Sequence, residues 1–251
     1  MPRSRNIAAS PADEKSSPGY SVPALDRGMR IIELMADLRR PLSLTEIAAG
    51  LGLASGMIYR LLQQMQERRW LMQDPATQKY SLSLRLYSYA LSAHPQARLL
   101  EAARLPLQDL AIASGQSCHL SLLVGEEILV VAVGDAPNPI RLTIDVGSRH
   151  SAVNTSSGRL LIALLAESEW LRFAKIDKNE LRDIAAAGYV VSHHRNLQGV
   201  HDLVVPLRLP QGFAALALNT LEGNSAQPVT EYLQVLKDTA ISIEKTLGIS
   251  L

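Results

Sequence analysis

The segment from Ser43 to Met65 restricts the fold of this chain more than any other. Ser43-Leu44-Thr45-Glu46 has the form of a capping box, in which the Ser43 hydroxyl accepts from the Glu46 amide and the Glu46 carboxylate reaches back to the Ser43 amide. A helix therefore starts here, with Leu44, Ile47, Ala48 and Leu51 on its buried face, and Gly50-Leu51-Gly52 ends it after about nine residues. A second helical period follows at once: Ile58, Leu61, Leu62 and Met65 share one side, while Tyr59, Arg60, Gln63, Gln64 and Glu67 share the other. Two helices joined by a tight glycine-containing turn make a helix-turn-helix.

The flanks complete this unit. Leu25, Met29, Ile32 and Met35, interleaved with Ile31, Leu34 and Leu38, give a helical period that runs to about Asp37 and ends before Pro41. Beyond Arg68-Arg69, the runs Trp70 to Gln73 and Lys79 to Leu82 read as two short strands around the turn Asp74-Pro75-Ala76-Thr77-Gln78, the wing of a winged helix. Leu84 to Ala93 is helical in pattern and stops at His94-Pro95, because a residue before proline is pushed out of the helical region.

The remainder alternates differently. Cys118 to Val124 and Ile128 to Val133 read as a hairpin around Gly125-Glu126-Glu127. Further strands are predicted at Ile140 to Asp145, Tyr189 to Ser192, Leu203 to Leu207 and Phe213 to Leu218. Helices are predicted near Glu101 to Ser114, Ser157 to Ala166, Lys178 to Ala187 and Thr230 to Leu247, with Gly188 as a helix cap. Without a repeating βαβ unit, this is an α+β domain with a mainly antiparallel sheet.

Charge supports a division of labour. Residues 1–92 carry 12 basic and 8 acidic side chains, and residues 93–251 carry 13 and 16, so a basic head precedes a mildly acidic body. That suits a polyanion-binding module, although a small excess also partitions by chance. The single cysteine, Cys118, excludes an intramolecular disulfide and points to a reducing compartment. Leu160 to Ala166, the longest apolar run, is far short of the ~20 residues that span a bilayer, and Met1 to Tyr20 holds no signal-like stretch. A cytoplasmic protein without a membrane partner is expected. Residues 1–22 mix Pro, Ser, Ala and opposite charges without a period, and are expected to form a mobile tail in which Arg3 and Arg5 can touch an anion.

The order of these elements, together with several local sequences, resembles the isocitrate-lyase-regulator (IclR) family of bacterial transcription factors over nearly everything after residue 22. The resemblance is carried by Ala24 to Leu34, Pro41 to Ala48, Tyr59-Arg60-Leu61-Leu62, Val146-Gly147-Ser148-Arg149, Ala187 to Ser192, and Gly199-Val200 leading to Pro206. It implies a winged helix-turn-helix over residues 23–83, a linker helix over 84–94 and a GAF-like effector-binding domain over 95–251. It also implies a homodimer or homotetramer on palindromic operator DNA, regulating a catabolic or metabolic operon in response to an organic acid, an aromatic acid or a related metabolite.

Helix residues that approach base edges are small or polar at the first turn, with basic or hydroxyl neighbours to hold phosphates. Ser55, Gly56, Met57, Tyr59, Arg60 and Gln63 occupy those places, a set that also suits a solvated helix face. Gln63 can pair with adenine, Arg60 with guanine or phosphate, and Tyr59 with a phosphate or a thymine methyl group. The family usually has Lys-Ser-Thr where this chain has Ser55-Gly56-Met57, which removes phosphate donors. In the wing, Lys79 stands where an arginine is common and Gln78 where glycine is common. Arg27 and Thr45 are candidate backbone contacts, with surface charge and capping as the alternatives.

The resemblance assigns the effector pocket to three places. The first is Asn154 to Arg159, where Ser157, Gly158 and Arg159 match the family's helix-starting loop, whose amides can hold a carboxylate. The second is Ser192 and Asp202, and the third is Ala217 with Asn219. Small-acid-binding members tend to have a carboxylate, a cysteine and serines at the last four positions. A buried Asp202 repels a carboxylate unless it is offset, which favours a hydroxyl-bearing or less anionic effector. Packing and strand-edge roles for Gly158, Arg159 and Asn219 stand beside ligand contact.

An enzyme is the weaker alternative. His193, His194, His201 and Asp202 could be assembled into a metal site, but their spacing matches no ligand set. Cys118 and His119 are adjacent in a strand and face opposite ways, a poor nucleophile and base. There is no Gly-x-Ser-x-Gly, phosphate-binding loop or dinucleotide fingerprint, so no catalytic residue, cofactor or metal is assigned. A ligand-sensing oligomer without specific DNA binding is the remaining alternative.

Overall fold

A computed structural model of the chain describes residues 22–93, 96–139, 141–173, 176–193, 198–221 and 228–249. Residues 1–21 of the expected tail, together with the candidates Ile140 and His194, lie outside the described residues. The chain divides into two compact units, Met1–His94 and Pro95–Leu251.

The first unit is built on α1 (Pro23–Leu38), α2 (Leu44–Leu51) and α3 (Ser55–Glu67), followed by β1 (Leu71–Gln73), β2 (Tyr80–Leu82) and α4 (Leu84–Ala93). The capping box forms: Ser43 Oγ accepts from the Glu46 amide at 3.2 Å, and the Ser43 amide donates to Glu46 Oε2 at 2.8 Å. Gly52 closes α2 in the left-handed region. Ile31, Met35, Ile47, Ala48, Ile58 and Leu62 from the three helices meet Leu42, Leu71 and Tyr80 in one small core. The wing is tied to the helices by reciprocal backbone bonds between Leu42 and Tyr80, at 3.0 and 2.7 Å.

Asp74 organises the wing turn, its Oδ1 accepting from the amides of Ala76 and Thr77 and from the Thr77 hydroxyl. Gln78 follows with φ 58°, the left-handed conformation that glycine adopts most easily. Its side chain compensates by donating to Pro75 O at 2.9 Å.

The hydrogen bonds from the Ser43 amide hold the Glu46 carboxyl down at about 2, aided by the Arg40 guanidinium 2.7 Å away. A depressed carboxylate stabilises the fold above its ordinary value of 4.5, and that contribution is lost as pH falls through its folded value. Glu46→Ala is therefore expected to lower the melting temperature of the helical unit at neutral pH, with a difference from wild type that shrinks below pH 4.5 and closes near pH 2. Thermal melts of the two proteins across that range check the prediction.

In the second unit, α5 (Ala97–Ser114) precedes β3 (Cys118–Val124) and β4 (Glu127–Gly134). Then come β5 (Arg149–Ser151), a 3₁₀ turn (Ala152–Asn154), α6 (Ser156–Ala163), a second 3₁₀ turn (Glu167–Arg172) and α7 (Lys178–Ala187). The last elements are β6 (Val190–His193), β7 (Val200–Arg208), β8 (Phe213–Leu221) and α8 (Val229–Thr246). The strands form one sheet in the order β5-β4-β3-β8-β7-β6, with every neighbouring pair antiparallel. Gly188 caps α7 at φ 72°, as its sequence position predicts.

Period-two alternation sorts the strand residues onto the two faces. Cys118, Leu120, Leu203, Val205, Leu216 and Leu218 point toward α5 and α8. Val204, Ala215 and Ala217 point toward α6, where Leu160, Leu161 and Ile162 cover them. The unit is thus a helix–sheet–helix sandwich of α+β class.

One expected strand does not form. Residues 141–145 alternate as a strand would, but the sheet edge beside β4 is taken by residues 147–151, with Gly147 donating to Val130 O and Val130 to Ser148 O. Leu142 and Ile144 turn inward over a cavity instead, and Thr143 Oγ1 donates to Asp135 Oδ1 at 2.8 Å. Alternation marked a half-buried segment correctly; its partner was not a strand.

Candidate functional site

Helix α3 has an inner and an outer face. Ile58 and Leu62 are fully buried, while Gly56, Met57, Tyr59, Arg60 and Gln63 are exposed and Ser55 is half-buried. Gln63 Nε2 donates to the Tyr59 hydroxyl at 2.9 Å, one turn apart, so the two side chains form a single polar platform. No side chain caps the first turn of α3, since Ala54 holds the N-cap position. Thr45 is exposed, with its hydroxyl 3.0 Å from that of Ser43; Arg27 on α1 and Lys79 beside the wing turn are half-buried.

The second site is a cavity of about 320 Å³ within the second unit, between the sheet and the start of α6. Its walls are His119, Ile128, Leu142, Thr143, Ile144, His150, Thr155, Ser156, Ser157, Asp202, Val204, Ala217 and Asn219. Sheet register explains the convergence. Ser192 pairs with Asp202 and Asp202 with Asn219, so three polar residues form a row across β6, β7 and β8; in the adjacent row His119 pairs with Ala217 and Ala217 with Val204.

Asp202 is 5% exposed and held at both oxygens. Asn219 Nδ2 donates to its Oδ1 at 2.7 Å, and Ser156 Oγ donates to its Oδ2 at 2.7 Å. The Ser156 hydroxyl also lies 3.0 Å from that of Ser192 and accepts from Arg159 Nη2 at 3.3 Å. Arg159 itself is buried, with Nε 3.2 Å from Glu180 Oε1 on α7.

Of the seven expected effector residues, Ser157, Asp202, Ala217 and Asn219 line the cavity. Ser192, Gly158 and Arg159 stand outside its walls. Gly158 has a packing duty: a Cβ there would lie 2.2 Å from Ala152 O, and its amide donates to Thr155 Oγ1 at 3.2 Å. Ser156 falls within the expected segment Asn154 to Arg159, His119 enters the sequence reading only as a base beside Cys118, and His150 is not singled out in the sequence. For His119 a signal existed, because its alternation with Cys118 places it on the α6 face.

The two candidate reactive groupings separate. Cys118 points to the α5 side, with Sγ donating to Leu107 O at 3.3 Å, and burial pushes its thiol up to about 12. His119 lies on the opposite face. In the alternative metal set, His193 pairs with His201 while Asp202 is the next residue along β7 and belongs to the other face. Among the described residues no group of three His, Cys, Asp or Glu side chains could hold a metal ion, and no helix is long and apolar enough to cross a membrane.

Comparison with known proteins accounts for both units. Residues 24–75 match the IclR helix-turn-helix domain, and residues 92–186 match the bacterial transcriptional regulator IclR C-terminal domain. The chain is 29% identical over 253 residues to the glycerol operon regulatory protein of Streptomyces coelicolor, covering 91% of this chain and 97% of that one. It is 26% identical over 247 residues to its Streptomyces griseus counterpart, with the same shares covered. An IclR homolog from Microbacterium hydrocarbonoxydans, solved with 4-hydroxybenzoate, superposes with a TM-score of 0.79 at 23% identity, over 90% of this chain and 100% of that chain. With both domains matched in order, the chain belongs to the IclR family of bacterial transcriptional regulators, which are DNA-binding proteins rather than enzymes.

Proposed function

We propose that the protein is a one-component regulator of a catabolic or metabolic operon, acting in the cytoplasm as a homodimer or homotetramer. Its paired α3 helices read a palindromic operator, and a small molecule in the effector cavity changes operator affinity. The observation that carries this reading is the outer face of α3: Tyr59, Arg60 and Gln63 are exposed together beside a first turn that no side chain caps. Uncapped amides at a helix N-terminus suit a phosphate, and they offset the missing Lys-Ser-Thr hydroxyls and amine. Gly56 fits the same picture, because a Cβ there would meet nothing within 4 Å, so the chain's own packing does not require glycine at that place.

Arg60 and Gln63 supply base or phosphate contacts, with Tyr59, Ser55 and Met57 around them and Arg27, Thr45 and Lys79 on the flanking backbone. The effector site comprises Ser157, Asp202, Ala217 and Asn219 on the cavity wall, with Ser192, Gly158 and Arg159 supporting it. Support for a metabolite comes from the relatives, two of which regulate glycerol operons, and from the 4-hydroxybenzoate held by the Microbacterium protein.

Fluorescence anisotropy with labelled DNA from upstream of the protein's own gene, against a scrambled duplex at two salt concentrations, tests the head. Preference for the native duplex by ~10³ or more is expected. The double variant Arg60→Ala, Lys79→Ala should weaken operator binding by about 100-fold and reduce the salt slope by about 2, one per lost phosphate or base-edge cation. Unchanged affinity and slope would sink this placement. Equal weak binding to both duplexes would instead favour a ligand-sensing oligomer without specific DNA binding. Effector linkage is reciprocal, so operator DNA must weaken an inducing ligand by the same factor as the ligand weakens DNA.

A further inference from the structure

We infer that the cavity selects a small, uncharged, hydroxyl-rich ligand over free carboxylates, and that Asp202 sets this preference. The inference rests on the effector role proposed above for the cavity. A carboxylate offers about four acceptor positions. Ser156 and Asn219 each fill one, on opposite oxygens, and Asp202 still borders the cavity. A ligand hydroxyl brings the donor that the remaining positions need. A ligand carboxylate brings only acceptors and a like charge into a poorly hydrated space.

The rest of the wall points the same way. None of the described lining residues is a lysine or arginine. Arg159 lies behind Ser156, and its charge is met by Glu180, so it does not present a guanidinium to the cavity. Ser157 contributes a hydroxyl that can both donate and accept, while Thr143 and Thr155, whose protons go to Asp135 and to Ser151 O, contribute oxygens that accept from a polyol hydroxyl. An ammonium is disfavoured for a separate reason: Ser156 and Ser157 form the first turn of α6, where the helix dipole is positive. Negative Asp202 stands beside that positive helix end, so their fields offset one another and neither sign of ligand charge meets an uncompensated partner. Ile128, Leu142 and Val204 provide apolar contact for a carbon chain, and about 320 Å³ is at the small end of ligand pockets, with room for a simple sugar or polyol.

Isothermal titration of the full-length protein tests this with four probe groups: uncharged polyols and sugars (glycerol, xylitol, xylose), carboxylates (glyoxylate, pyruvate, 4-hydroxybenzoate), glycerol 3-phosphate, and glucosamine. At least one uncharged probe is expected to bind about tenfold or more tighter than every charged one. Asp202→Asn, which keeps the shape and removes the charge, should narrow or invert that ratio by about tenfold or more. Asp202→Ser serves the same purpose should the asparagine variant not fold. Tighter binding of a carboxylate, the phosphate or the amine to wild type overturns the inference, as does a ratio unmoved in both variants; either leaves the effector cavity itself standing. Failure of every probe group to bind wild type overturns the effector role of the cavity and the preference with it.

Discussion

Gly158→Ala is expected to destabilise the C-terminal unit by about 3 kcal/mol or more, at the upper end of what one substitution does. The added Cβ would stand 2.2 Å from Ala152 O, 2.4 Å from Ala152 Cα and 2.6 Å from its carbonyl carbon, and all three are backbone atoms that no rotamer change can move aside. To accept the methyl group, α6 must withdraw from the 3₁₀ turn before it. That movement carries Ser156 away from Asp202 and exposes Leu160 and Ile162, both fully buried. Urea unfolding followed by circular dichroism measures the loss, and ligand titration should show the cavity weakened in parallel. Gly56→Ala is the matched control. With open space around it on an exposed helix, alanine there should be neutral or stabilise by up to about 1 kcal/mol. A Gly158→Ala protein as stable as wild type would show that α6 and the turn are not in contact.

Leu62→Ala is expected to abolish operator binding while leaving the C-terminal unit intact. Leu62 is fully buried beneath the exposed outer side of α3, and truncating a core leucine costs roughly 2–5 kcal/mol. The N-terminal core is small, with Ile31, Met35, Leu42, Ile47, Ala48, Ile58, Leu62, Leu71 and Tyr80 as its buried members. A domain of that size has about 40% to all of its ~5 kcal/mol stability at stake in such a change. Because the chain divides into two compact units, calorimetry should show one transition lowered and the other unmoved. Operator affinity within about threefold of wild type, together with an unchanged melt, would mean that Leu62 does not support the helix.

Much of the fold was legible because its determinants are local. The capping box at Ser43 and Glu46 operates across three residues, the helical periods across four, and strand alternation across two, so α2, β3 and α7 begin and end close to where the chain pattern sets them. The outer face of α3 followed from the same period, since burying Ile58 and Leu62 turns Tyr59, Arg60 and Gln63 outward. The same local logic failed at residues 141–145, where alternation signalled half-burial without specifying a partner, and β5 took the sheet edge.

By itself, then, the amino-acid sequence determined two domains, a helix-turn-helix with a defined exposed face, and an antiparallel α+β body. Only the tertiary structure decided what the cavity is made of. Ser156 and Asp202 are 46 residues apart, and their contact depends on the register of three strands and the seating of α6. The same seating turned Arg159 inward to Glu180, reserved Gly158 for a backbone approach, and left Asp202 on the cavity wall. Such contacts arise from packing between distant segments, whose geometry no short-range period encodes.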